Sequence, residues 1–453
     1  MEETLEIYSS NEKNFTIDKN LDVLVDIKKN KYNIPSEFLF KMAARKNLKR
    51  EFLFVSKVIG KHLPMNPQAL NIIGGLLARS WVEERENTFF QDTEVLVEAI
   101  NYLQEKEFGE KIDESDLAEA ISILKKPIEL KSKTLFIGFA ETATGISHAV
   151  FNSCTNATFI HTTRENIKSI KPSVLFEEEH SHAVEQQLYP LNPSIFEEFD
   201  DIVLIDDELT TGKTALNLIN KIKGKNFGVI AILDWRESEQ EVLYENNQGK
   251  NIKVCSLIKG TIRHEKKGKL DFADKIEELV EKEPISFKDI RFRSGNYIEG
   301  YLMETGRFGC SSNMHRDFFK EISKIALDLK KLRVDGNCLC VGTEEFIYIP
   351  CVISSEMGKN IYFQSTTRSP IYAKNISHYG INRKIAFKSH EDIDIQKYLY
   401  NIPSDYYNQV FMFSEKPLEE SKRKEFAHIF SNYNITNVVF VSFENSQEVE
   451  KSI

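Results

Sequence analysis

The segment VLIDDELTTGKTALNLI, residues 203–219, concentrates residue types that handle phosphates and hydroxyls. An apolar run ends in Asp206 and Asp207, and Glu208 follows. Thr210, Thr211, Gly212, Lys213 and Thr214 then open a helical pattern. A strand feeding such a turn into a helix start presents backbone amides and threonine hydroxyls at the positive end of a helix dipole, which is an anion site. Gly212-Lys213-Thr214 spells the end of a nucleotide P-loop. The first glycine of that motif falls on Asp207, however, and its carboxylate repels a phosphate chain. The bland alternative is a strand followed by a capped helix, as any α/β protein contains. Paired acids leading into TTGKT are rarer than that, which favours the functional reading.

Other segments carry candidates of the same kind. FIGFAETATGISHA (136–149) reads as strand, turn and helix, with Ala140, Glu141, Thr142, Ala143, Thr144 and Gly145 in the turn. NATFIHTTR brings Arg164 to a strand end, where its planar fork suits an oxyanion unless it merely caps the strand in solvent. LFEEEHSHAVEQQ (175–187) carries His180 and His182, which fit a polar loop over a site, a metal pair or a solvated loop. Residues 41–62 hold seven Lys or Arg against the single acid Glu51. Arg45, Lys49, Arg50, Lys57 and Lys61 are the candidate anion contacts there, a solvated helix face being the alternative. VGTEEF sets Glu344 and Glu345 after a strand end. QSTTRSPIY places Thr366, Thr367, Arg368 and Ser369 before the turn fixed by Pro370. Arg368 suits a phosphate or carboxylate ligand, or an internal salt bridge to Glu344 or Glu345.

The elements that must position these residues follow from periodicity. Residues 1–30 alternate as an edge strand or hairpin would, and from about 35 to 126 the pattern turns helical. KTLFIGF (133–139), NATFIHT (156–162), DDIVLID (200–206) and FGVIAILD (227–234) are continuous apolar runs, as parallel strands covered on both faces show. The charged stretch 259–284 reads as an exposed connector plus one helix. CLCVGTEEF, KNIYFQSTT, QVFMFSE and TNVVFVSFE supply strands to a second block, with a polar helix from Leu418 to Tyr433. The expected organisation is an extension over 1–30, a first domain over 31–275 with its core at 131–235, and a second α/β domain over 285–449.

The strand, acids and Thr/Gly turn of 203–219 resemble the PRPP signature of type I phosphoribosyltransferases. With FAETATG, EEHSHA, TGRFG (305–309) and TTRSP, the chain resembles phosphoribosyltransferase-2 proteins carrying a C-terminal TRSP domain, over roughly residues 35–445. The resemblance implies an α/β fold: a type I phosphoribosyltransferase-like parallel sheet with a helical N-terminal elaboration, followed by the TRSP domain. It implies that Asp206 and Asp207 bind the ribose hydroxyls of PRPP and that Glu208 belongs to the same site. By the same likeness residues 210–214 wrap the 5-phosphate and Ala140 to Gly145 cradle pyrophosphate. Arg164 would meet the leaving group, and the 175–187 interval would form a lid. Mg²⁺ is implied as cofactor, carried by the substrate and touching Asp206 and Asp207 if it touches the protein at all. A small-molecule acceptor of the nitrogen-heterocycle kind and a link to tellurium-resistance stress operons and a nucleoside-like metabolite are implied too. A homodimer stays open, as does a PRPP- or nucleotide-sensing regulator without catalysis, or a TRSP block that acts on a nucleoside-like intermediate.

Composition sets outer bounds. The 453 residues include 59 Lys and Arg against 69 Asp and Glu, a net charge of −10, so no overall field draws the chain to nucleic acid. No apolar run approaches the roughly 18 residues of a spanning helix, and MEETLEIYSS lacks the order of a signal peptide. A cytoplasmic protein without membrane contact is expected. The six scattered cysteines read as reduced, buried small hydrophobes, a metal pair at Cys338 and Cys340 being the weaker alternative.

Overall fold

The computed structural model describes residues 12–445, apart from 48–49, 107–109, 111, 178–184, 246, 248, 271–275, 283–284, 295, 377 and 393. Its centre is an eight-stranded sheet. Five strands run parallel through the middle, in the spatial order Asn251–Lys266, Asn226–Asp234, Asp201–Leu209, Ile128–Gly138 and Cys154–His161. Leu135 to Ile137, Val203 to Ile205 and Val229 to Ala231 are all fully shut from solvent. Their unbroken apolar runs are explained by cover on both faces. The hairpin Glu12–Asp18 and Leu21–Asn30 extends one edge, antiparallel to the 251–266 strand. At the other edge Cys310 pairs with Phe159, so a short strand from the later part of the chain closes the first sheet.

The second sheet has five strands, all parallel: Phe287–Ser294, Asn437–Asn445, Tyr407–Ser414, Asn337–Gly342 and Ile361–Ser365 in spatial order. The two sheets share one plan. In the first, the 128–138 strand leads on to its neighbour on one side, and the 201–209 strand leads on to its neighbour on the other. In the second, the 337–342 and 407–414 strands diverge in the same way. Each sheet therefore has a topological switch point, where doubly wound folds open a crevice at the carboxyl ends of the strands. The helices behind those ends, Ala143–Asn152 and Tyr348–Glu356, lie together, with the rings of His148 and Tyr348 stacked 4.3 Å apart.

Two local expectations are corrected. The basic stretch is no helix face: Phe40–Ala44 and Phe52–Ser56 form a hairpin before the long helix Gln68–Glu86. Phe40 and Phe54 pack edge to face at 4.8 Å, and Phe54 stacks on Trp235 at 4.9 Å. That aromatic burial outweighs the charge pattern around it. The stretch after 259 continues as strand to Lys266 because it pairs with 21–30, and no helix occurs among the described residues between 267 and 286.

Candidate active site

The first sheet's switch point lies between the strands that end at Gly138 and Leu209. The turn after Gly138 is held from behind. The Ala140 N–H donates to Thr162 Oγ1 at 2.8 Å, and Gln186 Nε2 donates to the Ala140 carbonyl at 3.1 Å. Thr144 Oγ1 closes the turn onto the Glu141 carbonyl at 3.0 Å. Gly145 has a packing role: a Cβ there would stand 2.7 Å from Ile347 Cγ2 of the second domain. That glycine therefore serves contact between the domains.

Across the switch point, Asp206, Asp207 and Glu208 are half-buried, and the Asp207 N–H donates to Asp206 Oδ1 at 3.0 Å. Gly212 has φ 73°, the left-handed conformation that glycine adopts without penalty. A Cβ there would collide with the Tyr244 hydroxyl, which itself donates to the Gly212 carbonyl at 2.6 Å. Arg236 lies over the Tyr244 ring and is paired with Asp234 at 2.7 Å. Tyr244 and Arg236 thus brace the turn from below. The only sequence signal for them is a charged pair at the end of FGVIAILD. The helix Lys213–Lys221 starts at this turn.

Of the basic candidates, Arg50 and Lys61 reach the acids of the site. Arg50 Nη2 bonds Glu208 Oε1 at 2.6 Å, and Lys61 Nζ bonds Glu141 Oε1 at 2.5 Å. Arg45 Nε turns to the Arg50 carbonyl at 3.0 Å and Lys57 Nζ to the Glu37 carbonyl at 2.9 Å. Lys49 lies outside the described residues, as do His180 and His182. The stems of their segment, Val174–Glu177 and Glu185–Leu188, form a hairpin whose second strand carries Gln186 and pairs Gln187 with Thr163.

The second domain brings its own strand ends to the same place. Glu344, with φ 57° and so in a costly conformation for a non-glycine residue, pairs with Lys397 and accepts from Ser389 Oγ at 2.8 Å. Lys397 Nζ also stands 3.9 Å from Glu141. Lys61 Nζ donates to the Thr366 carbonyl at 2.9 Å. Arg368 Nε lies 3.8 Å from Glu141 Oε2, in the turn of the first domain, and not against Glu344 or Glu345, the partners of the salt-bridge alternative. Glu345 accepts the Arg164 N–H at 3.1 Å and pairs with Arg307 at 2.8 Å. Arg307 further meets Glu415 at 3.3 Å and Thr163 Oγ1 at 2.8 Å. Thr366 Oγ1 accepts the Glu344 N–H and Thr367 Oγ1 accepts the Ser369 N–H, while the Ser369 carbonyl accepts from Tyr400. These bonds shape the tight return of the chain after the 361–365 strand. Lys397, Arg307 and Glu415 carry no clear sequence signal: Lys397 is a lone cation in the aromatic strand QKYLY, and the string TGRFG gives its arginine no role.

Burial sets the electrostatics. It works to raise the Glu141 carboxyl, but Lys397, Lys61 and Arg368 outweigh it and hold the group well below the ordinary carboxylate range. Burial pushes Lys61 down, with Glu141 partly offsetting it, and pushes Lys397 down to about 8. Burial raises Glu345, and it raises Glu415 to about 7 against the pull of Arg307. One guanidinium cannot keep all of its surrounding carboxyls ionised.

Among the described residues no group of three or more His, Cys, Asp or Glu could hold a metal ion. Asp206 and Asp207 fit a cation that arrives already chelated by a polyphosphate, as Mg²⁺ does, with one or two carboxylates completing its shell. Two cavities of about 660 and 640 Å³ lie apart from these acids; the first is lined by Cys154 and Ile361, residues at the opposite ends of their strands. All six cysteines are buried and free. Among the described residues no helix is long and apolar enough to cross a membrane.

The sequence model of the phosphoribosyl transferase family matches residues 39–261, and that of the TRSP domain, C-terminal to this transferase, matches 304–430. No curated protein matches the chain. Among solved structures it is similar to the adenine phosphoribosyl transferase of Trypanosoma brucei in complex with AMP, pyrophosphate and ribose-5-phosphate. That likeness has 15% identity and a TM-score of 0.30, covering 51% of this chain and 82% of the other. The adenine phosphoribosyltransferase of Leishmania donovani has 16% identity, covers 32% and 69%, and scores 0.22. A hypoxanthine phosphoribosyltransferase of Staphylococcus aureus has 14% identity, covers 30% and 66%, and scores 0.16.

Proposed function

The chain belongs to the phosphoribosyl transferase family and carries its C-terminal TRSP domain, and from that premise we propose that it transfers the 5-phosphoribosyl group of PRPP to a ring nitrogen of a small heterocycle. The enzyme is a phosphoribosyltransferase, and so a pentosyltransferase. In this reading Asp206 and Asp207 accept hydrogen bonds from the ribose hydroxyls, and the 210–214 turn binds the 5-phosphate at a helix start. The 140–144 turn and Arg164 take the pyrophosphate end. The bond from the anomeric carbon to pyrophosphate oxygen breaks through an oxocarbenium-like state, and the acceptor nitrogen supplies the electron pair of the new bond. The residues' work is to hold the ribose, balance the leaving charge and exclude water, the last a task for the paired strands 174–177 and 185–188. Mg²⁺ bound by the substrate's oxygens would supply further neutralising charge.

The observation that carries the proposal is the meeting of two loops, Asp206–Thr214 and Ala140–Thr144, on adjacent strand ends at a switch point. The six buried, free cysteines suit a reducing cytoplasm, and a nucleoside-like product serving a stress response enters this proposal through the family resemblance alone. Calorimetric titration with PRPP and Mg²⁺ tests the donor. Saturable binding that competes with ribose 5-phosphate supports it, and absence of binding by the folded protein rejects it.

A further inference from the structure

PRPP is charged at both ends, and in the reading above the 206–214 segment accounts for the ribose and the 5-phosphate. The other end needs cations on the far side of the switch point. Cations do gather there, around a carboxylate of the protein itself. Glu141 Oε1 takes Lys61 Nζ at 2.5 Å and Lys397 Nζ at 3.9 Å, while Arg368 Nε approaches Glu141 Oε2 at 3.8 Å. Arg164 is near enough to repel both lysines. The two lysine side chains are 1% exposed, Glu141 6% and Arg368 23%, so the cluster is closed at the lysines and open at the arginine. Lys397 and Arg368 fall within the TRSP match, beyond the span of the transferase family.

We infer that Lys61 and Lys397, with Arg368 at the mouth, bind the pyrophosphate end of PRPP, and that Glu141 is the resident anion which pyrophosphate displaces. Glu344 is the close partner of Lys397, so Glu141 answers Lys61 directly and Lys397 only at 3.9 Å. Two buried ammonium groups from distant segments are thereby brought to one turn, at a cost in stability that a larger anion there would offset. Glu141 meets part of that need in the absence of ligand. A polyvalent anion with several oxygens can serve Lys61, Lys397 and Arg368 together, which one carboxylate does only at 2.5, 3.9 and 3.8 Å. The TRSP domain thereby completes the transferase site, and PRPP binding is coupled to the contact between domains. This inference rests on the transferase reading.

The test is calorimetry on the full chain with inorganic pyrophosphate plus Mg²⁺, and separately with ribose 5-phosphate, whose site lies across the switch point. Glu141→Gln removes the competing charge, and pyrophosphate should bind about tenfold more tightly, with ribose 5-phosphate unchanged. Lys397→Met combined with Glu344→Gln removes the cation together with its partner, leaving no unpaired charge inside. In that variant pyrophosphate should bind at least about tenfold more weakly and ribose 5-phosphate normally, a change of about 1.4 kcal/mol. Unchanged or weaker pyrophosphate binding in Glu141→Gln, or unchanged binding in the double variant, overturns the inference and leaves the transferase reading standing. Parallel loss of ribose 5-phosphate in both variants also overturns it, by making the cluster part of the scaffold. A wild type that binds neither compound rejects the transferase reading and the inference with it.

Discussion

Arg307 holds the carboxylate of Glu345 at 2.8 Å, and both side chains are all but sealed from solvent. The pair ties the strand end of the second sheet to Thr163 at the end of a first-sheet strand, so it sets how the two switch points face each other. Arg307 also stands 3.5 Å from Glu165, so Arg307→Met leaves Glu165, Glu345 and Glu415 without their shared cation. It should destabilise the fold by about 3–5 kcal/mol, read as a shift in denaturant midpoint. A loss below about 1 kcal/mol would show that the carboxyls are already neutral without it.

Asp206→Asn combined with Asp207→Asn should abolish PRPP binding and turnover with little change in Tm. Each carboxylate is half-buried beside the turn, and under the proposed function each would contribute about 1.5–3 kcal/mol through charged hydrogen bonds to ribose hydroxyls. Calorimetry and a melting curve on the same sample separate a lost ligand contact from a lost fold.

At Gly212 the two effects cannot be separated. Its φ of 73° and the Tyr244 hydroxyl packed where a side chain would begin mean that Gly212→Val should lower both Tm and PRPP affinity. Thr211→Ala, at a half-buried neighbour, should weaken PRPP and ribose 5-phosphate with Tm nearly unchanged. Comparison of the two variants in one thermal and one binding series checks both expectations.

What the sequence disclosed and what it hid divide along one physical line. Continuous apolar runs and the acids that end them are local signals, so the central strands and the Asp206–Thr214 loop were legible. Partners across the fold are not local. Lys61 finds its acceptor at Thr366, 305 positions later, and Arg368 meets Glu141 rather than the two glutamates nearer in sequence. The 40–56 hairpin was hidden because its apolar residues face an aromatic cluster completed by Trp235, which no window around residue 50 contains.

Acid should unfold this protein partly through His315. Burial among Phe319, Phe151 and His148 pushes its pKa down to about 3, and its Nε2 has no hydrogen-bond partner among the described residues. Below its ordinary value of 6.5 the unfolded chain takes up a proton that the folded chain refuses. Folding is therefore penalised by about 1.4 kcal/mol per pH unit from 6.5 down to about 3. His315→Phe should keep about 2 kcal/mol more of its neutral-pH stability at pH 5 than the wild type does. Denaturant titrations of both proteins at pH 7.5 and pH 5 give the answer, and equal losses would remove His315 from the account.

The central claim is phosphoribosyl transfer from PRPP, and one incubation addresses it most directly. The full chain, PRPP, Mg²⁺ and a metabolite extract are combined, with pyrophosphate and new masses followed together. The account predicts pyrophosphate release matched by a product heavier than an extract component by one phosphoribosyl group, both absent with Asp206→Asn/Asp207→Asn. PRPP that binds yet is never consumed, in any extract and with the protein folded, would contradict transfer and leave a sensor of PRPP in its place.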